Sequence, residues 1–383
     1  MNIINAEIYT VTNGVISDGF IELEQGLITK IGEMKDYHGQ DNAVDAKGAL
    51  LLPGFIDAHC HLGMWEDGLG FEGDDGNEDT DPVTPHLRAV DAINPLDHCF
   101  KEAARNGITT VVTGPGSANP IGGQMAAVKT YGKRIDDMLL QAPVAIKMAL
   151  GENPKGCYHG KNQTPSTRMA TAAIIREQLQ KAARYLADLE KSESDPESDP
   201  PAYDAKCDAL LPLLKNQVKA HIHAHRADDI FTAIRLAKEF QFDYVLVHCT
   251  EGHLIAQELA KEQCKAVVGP ILSDRSKPEL RNATTANAAI LEREGVVFSL
   301  CTDHPVIPIQ YLPLSAVICG ADGLTREKAL RAVTIDAARI IEQEDKIGSI
   351  EVGKHADFAL YHRDPITNYE RPFLVFVNGE QVK

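Results

Sequence analysis

The chain has 383 residues, 44% of them hydrophobic and 24% charged, and its formal net charge is −17. That length fits a barrel of roughly 250 residues or more with a smaller module attached. The acidic balance, with no run of Lys and Arg against it, excludes nucleic acid as a partner. The eight cysteines (Cys60, Cys99, Cys157, Cys207, Cys249, Cys264, Cys301 and Cys319) contain no CxxC pair. Reduced thiols of a cytoplasmic protein are therefore expected, not a disulfide framework. The segment Met1–Glu7 has no charged leader and no long apolar core, and no stretch of about 20 apolar residues occurs later. Neither a signal peptide nor a membrane partner is expected.

Residues 3–9, 20–23 and 27–31 read as short antiparallel strands broken by Gly14, Gly19 and Gly26. Residues 48–56 form a continuous apolar run, the pattern of a strand buried on both faces. Strand patterns recur at 108–113, 143–150, 218–224, 243–248, 265–268 and 296–302. Helical patterns alternate with them at 93–106, 167–191, 204–216, 228–240, 253–263, 285–294 and 326–343. Such alternation gives βαβ units and a parallel sheet. Short strand patterns return at 346–354, 356–361 and 373–377. The β-rich ends, 1–50 and 345–383, are expected to pair into one small sheet domain beside an α/β body at 51–344. Asp188–Asp204, rich in Asp, Glu, Ser and Pro, reads as a solvated insertion.

The sharpest motif is Asp57-Ala-His59-Cys-His61, at the end of the buried apolar run. Strand side chains alternate faces, so Asp57, His59 and His61 share one. Two imidazoles about 7 Å apart along a strand can chelate one ion, and Asp57 could support one of them from behind. His221-Ile-His223-Ala-His225 repeats the period of two, His248 ends another apolar strand, and Asp303 follows the last strand of the series. Histidine suits zinc, iron or nickel, and an aspartate can both bind metal and accept a proton from water. Several successive strands thus end in metal-ligand residue types.

This ordered set resembles the amidohydrolase superfamily over nearly the whole chain, in its imidazolonepropionase-like and prolidase-like members. The matching residues are His59 and His61 on the first barrel strand, a His on the fifth, a His on the sixth and Asp303 on the eighth. Gly348–Asp357 is similar to the segment with which members return to the small sheet domain. The resemblance implies a (β/α)8 TIM barrel with a small β-sandwich domain formed by both termini. It implies a divalent metal, zinc first, with iron, nickel or manganese as alternatives and one or two ions bound. The implied ligands are His59, His61, His223, His248 and Asp303, with a bridging carboxylate on the third or fourth strand. Glu152 is preferred for the bridge, and a carboxylated Lys147 is the alternative. Asp303 and His248 are the implied catalytic residues of a C–N bond hydrolysis driven by metal-activated water.

The substrate is expected to be small, and the protein to be a homo-oligomer. His225, just past the fifth strand, is assigned to substrate. Ser117, Asn119 and Gln124 belong to a Gly-rich stretch, Gly114–Gln124, read as a loop whose backbone can approach a ligand. Arg88 could pair with a substrate carboxylate. The acidic segment Glu66–Asp81 is read either as a lid recognising a cation or as a solvated loop, and a zwitterionic substrate would satisfy both signs. Members that deaminate a ring have a Glu soon after the fifth-strand His, and His223-Ala-His-Arg-Ala-Asp-Asp has none. A non-catalytic homologue would have lost ligands that are present here. Sugar-phosphate deacetylases can use a Glu like Glu152, but often lack the intact first His-x-His.

Overall fold

The computed structural model describes residues 1–39, 43–66 and 69–383. Eight strands form its central sheet: β1 (Phe55–Cys60), β2 (Ile108–Thr113), β3 (Ile121–Lys129), β4 (Leu139–Ala149), β5 (Lys219–Ala224), β6 (Tyr244–His248), β7 (Lys265–Val268) and β8 (Val297–Leu300). Each pairs with the next, and the sheet rolls until its last strand lies beside its first. There Thr302 donates from N and Oγ1 to Asp57 Oδ2, at 3.0 and 2.6 Å. The His61 N–H donates to the His304 carbonyl at 2.8 Å. The result is a nearly closed α/β barrel. β1, β2 and β5 are buried along their whole length, because one face lines the interior and the other is covered by helices and loops.

The barrel departs from eight parallel strands at one place. β3 runs antiparallel to both β2 and β4. The chain allows nothing else: residues 114–120 and 130–138 are the only links on either side, and a parallel return needs a crossover of about a dozen residues or more. Sequence patterning missed β3 because Ile121-Gly-Gly-Gln-Met-Ala-Ala-Val-Lys129 is rich in Gly and Ala, which strands disfavour. The stretch read as a Gly-rich loop therefore ends inside a strand, with Gln124 opposite Ile146. The expected insertion also begins later, since the helix Arg168–Ser194 runs through its first residues. No described helix is long and apolar enough to cross a membrane.

Both ends of the chain meet in a second eight-stranded sheet. Its order is Glu380–Gln381, Leu374–Val377, Phe358–Tyr361, Leu50–Pro53, Asn2–Tyr9, Val15–Glu24 and Leu27–Glu33, with Ala43–Asp45 also paired to Asn2–Tyr9. Ile3, Ile8, Ile21, Leu51, Phe358 and Phe376 belong to its own buried core. A buried ion pair joins this sheet to the barrel. Lys129, the last residue of β3, donates to Asp357, which also accepts the Asn378 N–H at 2.8 Å. Burial pushes the Lys129 amine below its usual range while Asp357 opposes the shift. Asp357→Asn leaves that amine without its counter-charge, and the expected loss is about 3–5 kcal/mol of stability. Urea unfolding measures it; a change under about 1 kcal/mol, the worth of a surface pair, would mean that water relieves the lysine.

Candidate metal centre and cavity

The barrel brings two groups of ligand-type side chains together at one mouth. His59, His61 and Asp303 form one, and His223, His225 and His248 the other; within each, the ligand atoms lie within 4.8 Å of one another. Asp303 Oδ1 is 3.2 Å from His61 Nε2 and 3.5 Å from His59 Nε2. The rings of His59 and His248 meet edge to face at 5.5 Å, and those of His225 and His248 stack at 4.5 Å, so the groups are continuous. Every member comes from the C-terminal end of a strand or the residues just past it, which is where barrels carry their chemistry. His248 and Asp303 hold φ of 75° and 54°. Left-handed backbone at non-glycine residues costs about 1–3 kcal/mol and gathers at functional sites.

Hydrogen bonds set the imidazoles in a metal-binding tautomer. His61 Nδ1 donates to the Gly114 carbonyl at 2.7 Å, and His248 Nδ1 to the Gly269 carbonyl at 2.8 Å. Since a carbonyl only accepts, the proton sits on Nδ1 and the Nε2 lone pair is left for an ion, the arrangement that orients metal-binding histidines. His225 Nδ1 pairs with Thr250 Oγ1 at 2.7 Å and His223 Nδ1 with Ser117 Oγ at 2.9 Å. His59 Nδ1 and His223 Nε2 are buried with no hydrogen-bond partner among the described residues. Burial lowers His59, His223 and His225 well below the usual histidine range, and His248 to about 4. These rings are therefore neutral near pH 7 and able to ligate. Burial alone would raise Asp303, but His248, His61 and Lys147 bring it down to about 2, so it is ionised. Neutral imidazoles, an anionic carboxylate and unmatched buried nitrogens fit a divalent ion.

Other residues singled out by sequence fall differently. Lys147 on β4 is fully buried and its Nζ is 3.0 Å from His59 Nε2, whereas Glu152 opens the helix Glu152–His159 and is not among the clustered ligands. The Glu152 N–H donates to Glu279 Oε2 at 3.0 Å. Of the two, Lys147 is the one that lies beside the clustered side chains. The strand ends before residue 152, and the chain turns away at Gly151, whose φ is 85°. Asp57 touches no imidazole nitrogen: it accepts from Thr302 and from the His59 N–H, tying β1 to β8. Arg88 is exposed and paired with Asp91, and with Gln124 it lines a separate cavity of about 170 Å³. Asn119 is saturated by Tyr158, Glu78 and Thr84 and acts as a brace. Of the acidic segment, Glu66 lines the main cavity; Glu72, Asp74 and Asp75 are exposed, Asp79 and Asp81 pair with Lys161 and Lys206, and Asp67 lies outside the described residues.

The main cavity measures about 700 Å³, and His61, His223, His225, Asp303 and Ser117 are on its wall. Sequence reasoning missed two residues of the loop after β7. Glu279 is wholly buried, with Oε1 3.7 Å from Nε2 of both His223 and His225. Lys277 Nζ is 2.7 Å from the same oxygen. Burial would raise Glu279, but His225 and Lys277 hold it below the usual carboxylate range. Gly151 makes room for Glu279, since a Cβ there would stand 2.8 Å from Oε2. The signal available was position alone, a charged Ser-Lys-Pro-Glu stretch in a loop at the catalytic end of a barrel.

Comparison with known proteins agrees with this architecture. The description "Amidohydrolase family" matches residues 50–382. The crystal structure of an amidohydrolase from Thermotoga maritima MSB8 superposes with a TM-score of 0.96 at 38% identity, covering 100% of this chain and 99% of that one. Amidohydrolase tasK of Hapsidospora irregularis is 28% identical over 393 residues; the match spans 94% of this chain but 39% of that longer protein. An imidazolonepropionase of Sphingopyxis alaskensis is 25% identical over 392 residues, 91% of this chain and 87% of its own. With nearly the whole chain matched and the strand ends carrying histidine and aspartate, this protein belongs to the amidohydrolase family, hydrolases of carbon–nitrogen bonds.

Proposed function

We propose that the protein is a metal-dependent hydrolase cleaving the amide or cyclic amide bond of a small molecule, with zinc as the preferred ion and iron, nickel or manganese as alternatives. One observation carries the reading: His59, His61, Asp303, His223, His225 and His248 gather at one mouth of the barrel, and His61, His223, His225 and Asp303 line a cavity of about 700 Å³. His59, His61 and Asp303 would hold one ion. His223 and His248 would hold a second, with Lys147, carboxylated on Nζ, between the two. When bound, the metal supplies Lewis acidity that makes water a nucleophile near neutral pH and polarises a carbonyl. Asp303 accepts the proton of the attacking water and returns it to the leaving nitrogen. His225 faces the cavity beside His248 and would steady the carbonyl, while Ser117 orients His223. The terminal segments, 1–50 and 345–383, would form a β-sandwich domain distinct from the barrel at 51–344. A cytoplasmic setting is supported by eight cysteines, none of them in a disulfide among the described residues.

Elemental analysis after purification without added metal is expected to find near-stoichiometric zinc, iron, nickel or manganese. Less than a tenth of an equivalent, with no uptake on reconstitution, would defeat the reading. The metal-loaded protein is then screened against N-acyl amino acids, dipeptides, lactams and imidazolones for C–N cleavage.

A further inference from the structure

The cavity holds one fixed cation for which the proposed hydrolytic machinery has no use. Among the described residues lining it, Lys277 is the only Lys or Arg, while Glu66 and Asp303 are the acids. Its Nζ is held from two sides, 2.8 Å from Asn153 Oδ1 and 2.7 Å from Glu279 Oε1. An ammonium has three N–H donors and no acceptor; one is donated to Asn153 and Glu279 supplies the counter-charge, so donor capacity remains for a ligand. The Lys277 side chain keeps 28% of its surface exposed and lies on the cavity wall, whereas Glu279 is at 0%. The carboxylate therefore anchors the lysine from behind. Its other oxygen, Oε2, is occupied by the Glu152 N–H at 3.0 Å. Ser273 and Ser276 line the cavity as well and add hydroxyl groups.

Resting on the hydrolase reading above, we propose that Lys277 is the subsite for a substrate carboxylate, and that the substrates are N-acyl amino acids or short peptides with a free carboxylate close to the scissile amide. Spacing sets the length. Glu279 Oε1 is 2.7 Å from the ammonium and 3.7 Å from Nε2 of both His223 and His225, so a single carboxylate oxygen separates lysine from cluster. A carboxylate held by Lys277 is then only a few bonds from a carbonyl at the cluster. An N-acyl α-amino acid meets this, with Cα and nitrogen between the two groups. The pinned ammonium loses little freedom on binding, which favours a charge-assisted hydrogen bond. The exposed Arg88 has no part in it.

The test compares N-acetyl-L-alanine, N-acetyl-L-methionine and N-acetyl-L-proline, each against its own C-terminal amide. Binding to the metal-loaded protein is measured by calorimetry, and turnover by amine release. A hydrogen bond to a charged group gives the acids an expected advantage of about tenfold or more in the wild type. Lys277→Met should bring the acid-to-amide ratio close to one, and Lys277→Arg should keep acids preferred. No preference in the wild type, or a preference that survives Lys277→Met, overturns the proposal. Should Lys277→Met fail to fold, Asn153→Ala releases the ammonium but keeps its charge. It must weaken the acids more than the amides, and equal effects overturn the proposal as well. Missing metal or missing hydrolysis would instead defeat the hydrolase reading, because the calorimetric ratio is read without turnover.

Discussion

Asp303→Asn is expected to lower kcat by about 10²–10⁴-fold, the usual contribution of a positioned general acid–base, while the protein stays folded. The carboxylate is 15% exposed, so it reaches the cavity, and the neighbouring His248, His61 and Lys147 keep it ionised. Asparagine preserves its shape but cannot take a proton. The backbone should accept the change, because φ at residue 303 is 54° and Asn, like Asp, tolerates the left-handed region. Asp303 also stands 3.2 Å from His61 Nε2, so the variant could lose metal as well as its base. Elemental analysis of the same preparation separates the two. Full metal with collapsed kcat assigns the proton transfer to Asp303; activity within about tenfold of wild type, below the range for such a group, would move the base elsewhere.

The parts of the site that depend on strand periodicity were legible from sequence, because period two fixes which side chains share a face. His59 and His61 follow from it, as do His223 on β5 and His225 just past its end. Asp303 was readable as the last acid in a series of strand ends. What periodicity cannot give is how far a strand extends and which way it runs. β3 escaped because its glycines and alanines carry no β signal, and with it went the true setting of Gln124. Glu152 looked nearer the mouth than Lys147 because it follows the strand read over 143–150; the strand does stop at Ala149, but the chain turns at Gly151 and carries Glu152 into a helix. Arg88 illustrates the other limit. A cation near a motif in sequence says nothing of whether it faces the cavity, and the cation that does face it, Lys277, lies in a loop with no periodic pattern at all.

Lys147→Met should remove about half or more of the bound metal and lower kcat by more than about 100-fold, whereas Glu152→Gln should do neither. Residues that merely support a metal ligand cost about 10–100-fold in affinity or activity when lost, and a bridging ligand should cost more. The expectation rests on place and surroundings. Lys147 Nζ lies inside the barrel 3.0 Å from His59 Nε2, at 0% exposure. Burial pushes its amine down to about 8, against the pull of Asp303. A bare ammonium there would repel the ion that the surrounding imidazoles are set to bind. Addition of CO₂ to the neutral amine, with release of one proton, turns the same side chain into an anion with two oxygens between the histidine groups. Glu152, by contrast, has its N–H on Glu279 Oε2 at 3.0 Å and its Oε2 3.4 Å from the Glu279 N–H, which makes it a clasp between two loops. Methionine fills the buried space left by the lysine stem, so the fold should survive. Mass spectrometry under native conditions should detect one added CO₂ in the wild type and none in Lys147→Met. If Glu152→Gln strips the metal while Lys147→Met keeps it, the bridge belongs to Glu152.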